Sequence, residues 1–586
     1  MTRVARALGL FLFVLVGRLA VAQLQEPAQL VPADAQLYVH LNNPTDTLDA
    51  LLTQDVWQLI NEAPAFDQYR RSREYAQLRA AVAYVESRLG RNWREILRHL
   101  TAGGVTAFFV QVQPPVGAVI ARGDDEELVS DFDELIRELA SDNGNRRLES
   151  FDVGRVTVWK LSQGAYYFVR GTDIVVATSP ELCRSIIARL DSPVKSGTLS
   201  SDPQFKAARE RLGGAVDDPQ KTLAGWLFVR GDLLRSVPEL QDLPGEKYPD
   251  AGVPFLFGVL PHLLRTAPYV TASVWRRPGG ITLSAQIPRT EPTLPPTLTW
   301  LHSAEPGKEA AKPIRVPGTV LSFSIYRDLK GLWDVKDRLV SKEGLQGFVD
   351  IETEVAPVLF GNRDFATEVL AEIAPQVRVV VIAPESAGDE PIVLPAVAYV
   401  QRLRHPEEFG QDLTISFQTL VGLINLGLAQ NGQPRMMLST LSYREVTLHT
   451  ARFPEAEQGA APTSPQFVLL RQISPTLAIC KGYAVLASSE WAARAIVDYL
   501  LDDPAADALT AHNEILELDV NALVRLIEMN RQALIDARIT QAGVDPTQAE
   551  GEIDSLIQAL RMFQTARYTR GLNEREMYLR VDLDRN

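Results

Sequence analysis

The stretch GTDIVVATSPELCRSIIARL at residues 171–190 is echoed by KGYAVLASSEWAARAIVDYL at residues 481–500, at a constant offset of 310. In each copy, an apolar run that ends in Ala and Ser predicts a strand, and the apolar residues that follow at helical spacing predict a helix. The identical residues pair as Val175 with Val485, Ala177 with Ala487, Ser179 with Ser489, Arg184 with Arg494, Ile186 with Ile496 and Leu190 with Leu500. We therefore expect two equivalent strand–helix units.

Three further blocks repeat in the same order. They align the segment that begins at Val31-Pro32 with the one at Val316-Pro317, Arg155–Val158 with Glu445–Leu448, and Trp226–Val237 with Leu516–Ile527. Blocks that keep their order indicate an internal repeat, because a single strand–helix match can arise by shared period alone. The sequence predicts two duplicated halves, residues 23–287 and residues 316–586.

The predicted strands in the first half follow one another through short connections that contain Pro, Gly and Asp, as between residues 105–121 and 155–177. Such connections favour antiparallel hairpins over parallel crossovers. Helical stripes precede and interrupt the strands. The expected fold class is therefore α+β, with each half mainly an antiparallel sheet and packed helices.

Prolines are concentrated between the two predicted halves. Seven fall within residues 288–317, at positions 288, 292, 295, 296, 306, 313 and 317. Proline lacks a backbone donor and cannot continue the interior of a sheet. We expect an extended linker over residues 288–315.

Composition excludes several classes of protein. The 586 residues are 46% hydrophobic and 23% charged, which is ordinary for globular domains and excludes a disordered or collagen-like chain. The length requires more than one domain. The net charge of −14 argues against nucleic acid as a partner, because phosphate binding depends on Lys and Arg.

The N-terminus has the pattern of a signal peptide. Arg3 and Arg6 precede a short apolar run, and Ala20-Val21-Ala22 fits the small-residue cleavage rule. We expect residues 1–22 to be removed and the acidic mature chain to be periplasmic or secreted; the alternative is an uncleaved N-terminal anchor. After cleavage we expect no transmembrane segment, since we find no other run of roughly 18 continuous apolar residues.

The two cysteines, Cys183 and Cys480, occupy non-equivalent positions in the repeat. Cys183 falls in a predicted helix and Cys480 at the start of a predicted strand. Export would allow a disulfide between them. We favour free buried thiols, because cysteine often behaves as a small apolar residue.

The opening Val31-Pro32-Ala-Asp-Ala before Leu37-Tyr38-Val39, together with the later unit Ile174-Val-Val-Ala-Thr-Ser-Pro-Glu181, resembles bacterial exported proteins that are grouped as a domain of unknown function. The resemblance would cover most of the mature chain. It implies an exported protein that is associated with the cell surface. It supplies no catalytic residues.

Three short strings mimic the penicillin-recognising set of Ser-x-x-Lys, Ser-Asp-Asn and Lys-Ser-Gly: Ser192–Lys195, Ser141–Asn143 and Lys195–Gly197. In that chemistry the serine begins a helix and the other motifs lie downstream. Here Ser-Asp-Asn comes first, Lys195 would serve two motifs, and Pro193 indicates a loop. We interpret the strings as chance matches.

Metal and cofactor motifs are equally weak. His512-Asn-Glu514 has the His-x-Glu spacing of zinc deaminases, but the sequence has no Cys-x-x-Cys to complete the site. The seven histidines are scattered, and phosphate-binding or dinucleotide-binding glycine loops are missing. We expect no metal, no cofactor and no catalytic residues.

Four consecutive acids, Asp124–Glu127, raise the question of calcium. Calcium loops alternate carboxylates with spacer residues and a glycine. Consecutive acids more often begin a helix, where they interact favourably with its dipole. We favour the helix start.

Two segments, Val253–Leu264 and Phe417–Leu428, are apolar around most of a helical turn. One interpretation is a core helix that is covered on several sides. The other is a helix beside a groove for a lipid or an apolar peptide. We favour the core interpretation.

These observations predict an exported, non-enzymatic binding or structural protein. The alternatives are a hydrolase with a dispersed active site and a periplasmic carrier of apolar ligands. If the halves pack together, the seam between them is the expected place for an apolar ligand or a protein partner.

Overall fold

A computed structural model describes residues 27–42, 44–51, 69–141, 148–161, 164–191, 196–214, 220–238, 247–291, 293–305, 307–386, 391–454 and 469–585. The predicted signal peptide lies outside these residues. The chain divides into two compact units: Met1–Gln241 with Leu264–Pro288, and Asp242–Leu263 with Arg289–Asn586. Both combine helices with antiparallel strands, which confirms the predicted α+β class.

The first unit is built around a meandering antiparallel sheet. Its described strands are β1 (Leu37–Leu41), β2 (Val105–Gln111), β3 (Val116–Arg122), β4 (Ser150–Val153), β5 (Val156–Lys160), β6 (Tyr166–Arg170), β7 (Asp173–Ala177), β8 (Thr222–Arg230), β9 (Tyr269–Arg277) and β10 (Gly280–Pro288). Hydrogen-bonded neighbours run in the order β4-β5-β6-β7-β3-β2-β1-β8-β9-β10.

Helices cover the apolar side chains of this sheet. They are α1 (Pro44–Leu51), α2 (Arg73–Leu89), α3 (Trp93–Leu100), α4 (Glu126–Ala140), α5 (Pro180–Asp191), α6 (Pro203–Gly214) and α7 (Gly231–Ser236). Phe205 of α6 packs edge-on against Tyr38 of β1 and Phe228 of β8, with ring centroids 5.1 and 5.4 Å apart. Burial of such aromatic side chains is the main stabilising contribution in this core.

The second unit has its own set of strands. The described ones are β11 (Thr319–Tyr326), β12 (Ile373–Ile382), β13 (Ala396–Leu403), β14 (Met437–Tyr443), β15 (Val446–Arg452), β16 (Thr476–Cys480), β17 (Tyr483–Ala487), β18 (Glu514–Asp519), β19 (Phe563–Leu572) and β20 (Glu576–Arg585). Their order is β14-β15-β16-β17-β13-β12-β11-β18-β19-β20.

The remaining helices belong mostly to the second unit. They are α8 (Gly252–Phe257), α9 (Leu260–Thr266), α10 (Leu329–Leu339), α11 (Gln346–Asp350), α12 (Ala356–Phe360), α13 (Pro406–Gln430), α14 (Glu490–Asp502), α15 (Val520–Met529), α16 (Arg531–Ala542) and α17 (Pro546–Leu560). A π-helical stretch, Ile351–Val355, joins α11 to α12. The 25-residue α13 is the longest helix in the described part of the chain.

The two sheets have the same strand order, and their registers also correspond. One row of paired residues in the first sheet runs Phe228, Tyr38, Phe108, Ala118, Ala177, Tyr166. The matching row in the second sheet runs Glu517, Ser322, Val380, Ala398, Ala487, Thr476. This match keeps the predicted offset of 310 between Ala177 and Ala487. It corrects two other predicted alignments by one residue each. Tyr38 corresponds to Ser322, an offset of 284 where the alignment of Val31 with Val316 has 285. Trp226 pairs with His40, and its counterpart is Ile515, which pairs with Ser324, rather than Leu516.

The strand–helix units singled out in the sequence have similar burial in both copies. Ile186 in α5 and Ile496 in α14 are fully buried, as are Cys183 and its counterpart Ala493. Leu500 is buried, whereas Leu190 is only partly buried against its core. Both cysteines are free and buried, and Cys480 ends strand β16 instead of beginning a strand.

The proline-rich segment is more compact than the extended linker predicted from its composition. Residues 289–315 belong to the second unit, and Pro296–Leu301 forms a 3₁₀-helix. Its buried apolar residues are Leu298, Trp300, Leu301, Ala310, Ala311 and Ile314. Prolines suit the start of a helical turn, and burial of the apolar residues between them stabilises the packed path.

Candidate functional site: an apolar surface on the second unit

Helix α13 begins with strong local signals. Pro406 occupies its first turn, where a missing N–H costs nothing, and Glu407 and Glu408 favour the positive end of the helix dipole. From Leu413 to Gln430 the helix carries no charged residue. Three interior glycines lower its intrinsic propensity, so its stability depends on packing.

One side of α13 is packed against the second unit. Phe417 and Val421 lie in a cluster with Ala451 of β15 and Leu477 of β16. Ser416, the eleventh residue of the helix, is also buried, about 100° around the helix from Phe417, and its hydroxyl donates to the carbonyl of Leu359 at 2.7 Å. These contacts orient the helix: they cover the face that carries Phe417 and Val421 and, at the level of Ser416, part of the other side as well.

The opposite side of α13 is apolar and exposed. The side chains with large exposed fractions are Ile415 (59%), Leu420 (41%), Leu423 (47%), Ile424 (40%) and Leu426 (58%). At about 100° per residue they span about half of the helix circumference. The core interpretation of residues 417–428 is therefore wrong for this face, because the strands of the sheet reach only the side that carries Phe417 and Val421.

Strand β14 continues this exposed apolar region. The Nδ2 group of Asn425 donates to the carbonyl of Met436 at 2.9 Å, and the Met436 N–H donates to Asn425 Oδ1 at 2.7 Å. The next two residues, Met437 and Leu438, are 59% and 48% exposed. The end of the helix and the start of the strand are thus held side by side.

The segment α11–α12 adds a third element. Phe360 stacks on Phe409 of α13 with ring centroids 6.3 Å apart. The exposed apolar side chains of this segment are Val349, Ile351, Val355 and Val358. Met437 points to the opposite face of the strand from Leu438, whose paired residue Ala451 packs on α13. We call the other exposed apolar residues of these three elements the apolar surface: Val349, Ile351, Val355, Val358, Ile415, Leu420, Leu423, Ile424, Leu426 and Leu438.

The apolar surface brings ten large exposed hydrophobic residues of the described part of the chain onto neighbouring elements. Large hydrophobic residues exposed one at a time are normal on any protein. A concentration of them on neighbouring elements marks a site for another apolar surface. By length and hydropathy alone, α13 is also the one helix among the described residues that would suffice to cross a membrane, and 17% of its most apolar window is buried.

The second apolar segment predicted from sequence is divided between core and surface. Pro254, Val259 and Leu263 are buried, but Leu256 and Phe257 at the end of α8 are 65% and 52% exposed. The core interpretation is therefore wrong for the end of α8.

Two buried arginines hold α8 at its carbonyl end. Arg327 Nε donates to the carbonyl of Phe255, and Arg570 donates to the carbonyl of Phe257, each at 2.8 Å. Both guanidiniums also donate to the Glu514 carboxylate. Cations suit the negative end of a helix, and one shared carboxylate partly neutralises the pair.

His302 and Glu309 lie beside this arginine pair. His302 Nδ1 is 3.9 Å from Glu309 Oε1 and has no hydrogen-bond partner within the described residues. Burial, together with the charges of Arg327 and Arg570, lowers the pKa of His302 to about 3. Burial raises the pKa of Glu309. A neutral histidine in such surroundings belongs to the core.

His512 and Glu514, which have the His-x-Glu spacing of a zinc site, instead contact other side chains of the fold. His512 Nδ1 lies 2.9 Å from the Tyr578 hydroxyl, and Glu514 binds the two arginines. Across the described ranges, no three His, Cys, Asp or Glu side chains come close enough to share a metal ion.

The acidic run Asp124–Glu127 lies at the start of α4, as the sequence predicts. Asp125 caps α4 by accepting from the Leu128 N–H at 3.0 Å, and Asp124 lies 2.8 Å from His99. Residues 142–143 and 192–195, which contain most of the penicillin-like strings, lie outside the described residues.

A cleft of about 980 Å³ runs beside α14 in the second unit. Its lining mixes Trp491 and Tyr499 with charged residues, and its cations Lys312 and Arg494 are paired with Asp503 and Glu490. The charged residues in this lining distinguish the cleft from the wholly apolar tunnel that a lipid carrier requires.

Comparison with known proteins adds little. No protein-family model matches the chain, and no curated protein gives a significant match. Crystal form I of TP0453 is 14% identical, covers 44% of this chain and 78% of that chain, and has a TM-score of 0.23. For crystal form III the values are 12%, 45%, 80% and 0.23. Similarity at this level supports no conclusion about the present chain.

Proposed function

We propose that this chain is an exported, non-enzymatic protein that attaches to a lipid surface through the apolar surface of its second unit. The observation that carries the proposal is the wide exposed face of α13, with five aliphatic side chains and no charge after Asp412. Export is inferred from the N-terminal pattern of residues 1–22.

A lipid surface suits this face better than a protein partner. Protein interfaces combine apolar anchors with a polar rim and several specific hydrogen bonds. The exposed half of α13 near Leu420–Leu426 offers few groups for such bonds. Acyl chains need only apolar contact, and interfacial helices bury one face to a depth of about 5–10 Å.

The free energy available from burial of this face is sufficient for reversible attachment to lipid. Full burial of a Leu or Ile side chain contributes about 1.5–3 kcal/mol. The five exposed side chains of α13 are each about half exposed, so their remaining contribution is about 4–7 kcal/mol before the cost of orienting the protein. From Leu413 to Gln430 the helix carries no charged residue, so apolar contact is what this face contributes to attachment.

We also infer that the two units arose by duplication, and the shared strand order and register support this inference. The ligand or partner site predicted at the seam stays a prediction. The hydrolase and the carrier have no specific observation in their favour among the described residues.

Vesicle sedimentation tests the attachment. We expect the mature chain to bind phosphatidylcholine vesicles and the double variant L423D/L426D to bind at least about tenfold more weakly, because about 1.4 kcal/mol or more of apolar contact is lost. The matched control is L534D/L556D, which changes exposed leucines on α16 and α17. Equal loss in both variants, or failure of the unaltered chain to bind, would contradict the proposal.

A further inference from the structure

Positive charge is concentrated in one short segment of this acidic protein. Residues 70–98 contain eight arginines and three glutamates, with no lysine or aspartate, for a net charge of +5. The rest of the chain therefore carries −19. A local excess of this size produces a positive potential that attracts anions even when the whole protein is acidic.

Helix α2, within this segment, packs against the first unit through few residues and is not buried in its core. None of its residues is fully buried, and only Val85 and Leu89 pack against the cluster of α3 and α4. At 100° per residue, Arg79 lies about 120° from Arg73 and beside Glu86, whereas Arg73, Tyr84, Gln77 and Arg88 fall within an arc of about 60° on the exposed side. No acidic residue lies in that arc.

Carboxylates elsewhere in the first unit neutralise some of the positive charge of residues 70–98. Arg88, Arg91 and Arg98 pair with Glu138, Asp125 and Asp49. Glu86 is used to accept from the Trp93 N–H at 2.8 Å. Arg73 and Arg79 have no carboxylate partner among the described residues, so their charge is available to an external anion.

We propose that the exposed side of α2, which carries Arg73 near its centre and Arg79 at one edge and which we call the arginine face, binds the phosphate groups of anionic lipid headgroups. Aromatic residues in the segment and directly before it favour lipid over other polyanions: Tyr69 and Tyr84 are 43% and 38% exposed, and Arg94 lies 5.4 Å from the Trp93 ring. Arginine together with Tyr and Trp is typical of membrane–water interfaces. The inference rests on the proposed attachment to lipid and names the headgroup chemistry that strengthens it.

The test compares vesicles of phosphatidylcholine with vesicles that also contain phosphatidylglycerol. Each arginine near an anionic surface contributes about fivefold to binding. We expect the anionic lipid to tighten binding of the full mature chain, and R73Q/R79Q to lose about 20-fold of that gain while binding to pure phosphatidylcholine stays unchanged. The gain should also shrink at high salt, because exposed charges are screened.

The control variant R525Q/R575Q removes two exposed arginines from the second unit, and we expect it to retain the gain. An equal loss in the control, or no gain from anionic lipid, would overturn the inference. So would short duplex DNA displacing the chain from anionic vesicles through Arg73 and Arg79, since that outcome assigns the face to nucleic acid.

Failure of this inference is distinguishable from failure of the proposed function. If the chain binds phosphatidylcholine and phosphatidylglycerol adds nothing, the arginine face fails and the apolar attachment stands. If binding needs anionic lipid and Arg73 with Arg79, but is insensitive to L423D/L426D, the apolar attachment fails and the arginine face stands.

Discussion

Asn425 and Met436 are joined by two hydrogen bonds, one in each direction, between the amide side chain of the first and the backbone of the second. The pair fixes the last turns of α13 to the first residue before β14. Leu423, Ile424 and Leu426 therefore keep a constant position relative to Leu438, and the apolar surface is preorganised.

We expect Asn425→Ala to lower the free energy of unfolding by about 1–3 kcal/mol, because two partly buried hydrogen bonds are lost. The matched control is Asn431→Ala, which removes one exposed bond to the Gly427 carbonyl and should cost less than about 0.5 kcal/mol. Urea denaturation of both variants measures the difference. Equal costs would show that the pair does not stabilise the helix end.

Removal of the carboxylate between the two buried arginines should be severe. We expect Glu514→Gln to cost about 3–5 kcal/mol, since two buried guanidiniums would lose the carboxylate that both of them bind. Glu305→Gln breaks only the exposed pair with Lys308 and should cost less than about 1 kcal/mol. Thermal unfolding that gave the same loss for both variants would contradict the assigned role of Glu514.

Stability should fall as the medium becomes acidic. The folded pKa of His302 is about 3, below its unfolded value of 6.5, so between these values the unfolded chain binds more protons and is favoured. The expected slope is up to about 1.4 kcal/mol per pH unit. Glu309, whose pKa is raised, acts in the opposite direction, and the neighbouring Arg327 and Arg570 stay charged.

His302→Gln removes that proton-binding site. We expect denaturation curves measured from pH 7 to pH 5 to show a shallower loss for the variant than for the unaltered chain. His40 in the first unit, whose pKa is lowered to about 4 chiefly by burial, keeps its own contribution in both proteins. Parallel losses would show that His302 is not the responsible group.

Substitutions at equivalent positions of helices α5 and α14 should lower the free energy of unfolding by different amounts at the leucine position and by similar amounts at the isoleucine position. Leu500→Ala should cost about 2–5 kcal/mol, and Leu190→Ala less, because Leu190 is only partly buried. Ile186→Val and Ile496→Val, both at fully buried sites, should each cost about 0.5–1.5 kcal/mol. Chemical denaturation that reversed the order of the leucine variants would contradict the assigned packing.

The mature protein should begin at Gln23. N-terminal sequencing of the native protein recovered outside the cytoplasm measures this directly. Retention of Met1 would contradict cleavage and favour the uncleaved anchor.

The repeated strand–helix unit could be predicted because its signal is local. Ala177 and Ala487 close strands of the same length, and Ile186 and Ile496 follow at the same distance in helices. The alignment of Trp226 with Leu516 was wrong by one residue. Similar residues along two strands can be aligned one position apart, whereas the hydrogen-bonded pairing with a neighbouring strand has a single register. The pairing of Trp226 with His40 fixes the register, and no local pattern contains it.

The exposure of α13 could not be predicted from its composition. A helix that is apolar on all sides looks the same whether it is enclosed or only half covered. The difference depends on how far β15 and β16 extend beneath it, which is a property of the assembled sheet. The proximity of Arg327 to Arg570 could not be predicted for a related reason, since the two residues are remote in sequence and come together only at the end of α8.

The hold of Arg327 and Arg570 on α8 also constrains the order in which the chain can assemble. Helix α8 precedes β9, a strand of the first unit, yet it belongs to the second unit. It leaves the ribosome 313 residues before Arg570 does. The second unit is therefore completed only when nearly the whole chain has been synthesised, and a fragment that starts at Arg289 would leave both guanidiniums without the α8 carbonyls that they bind.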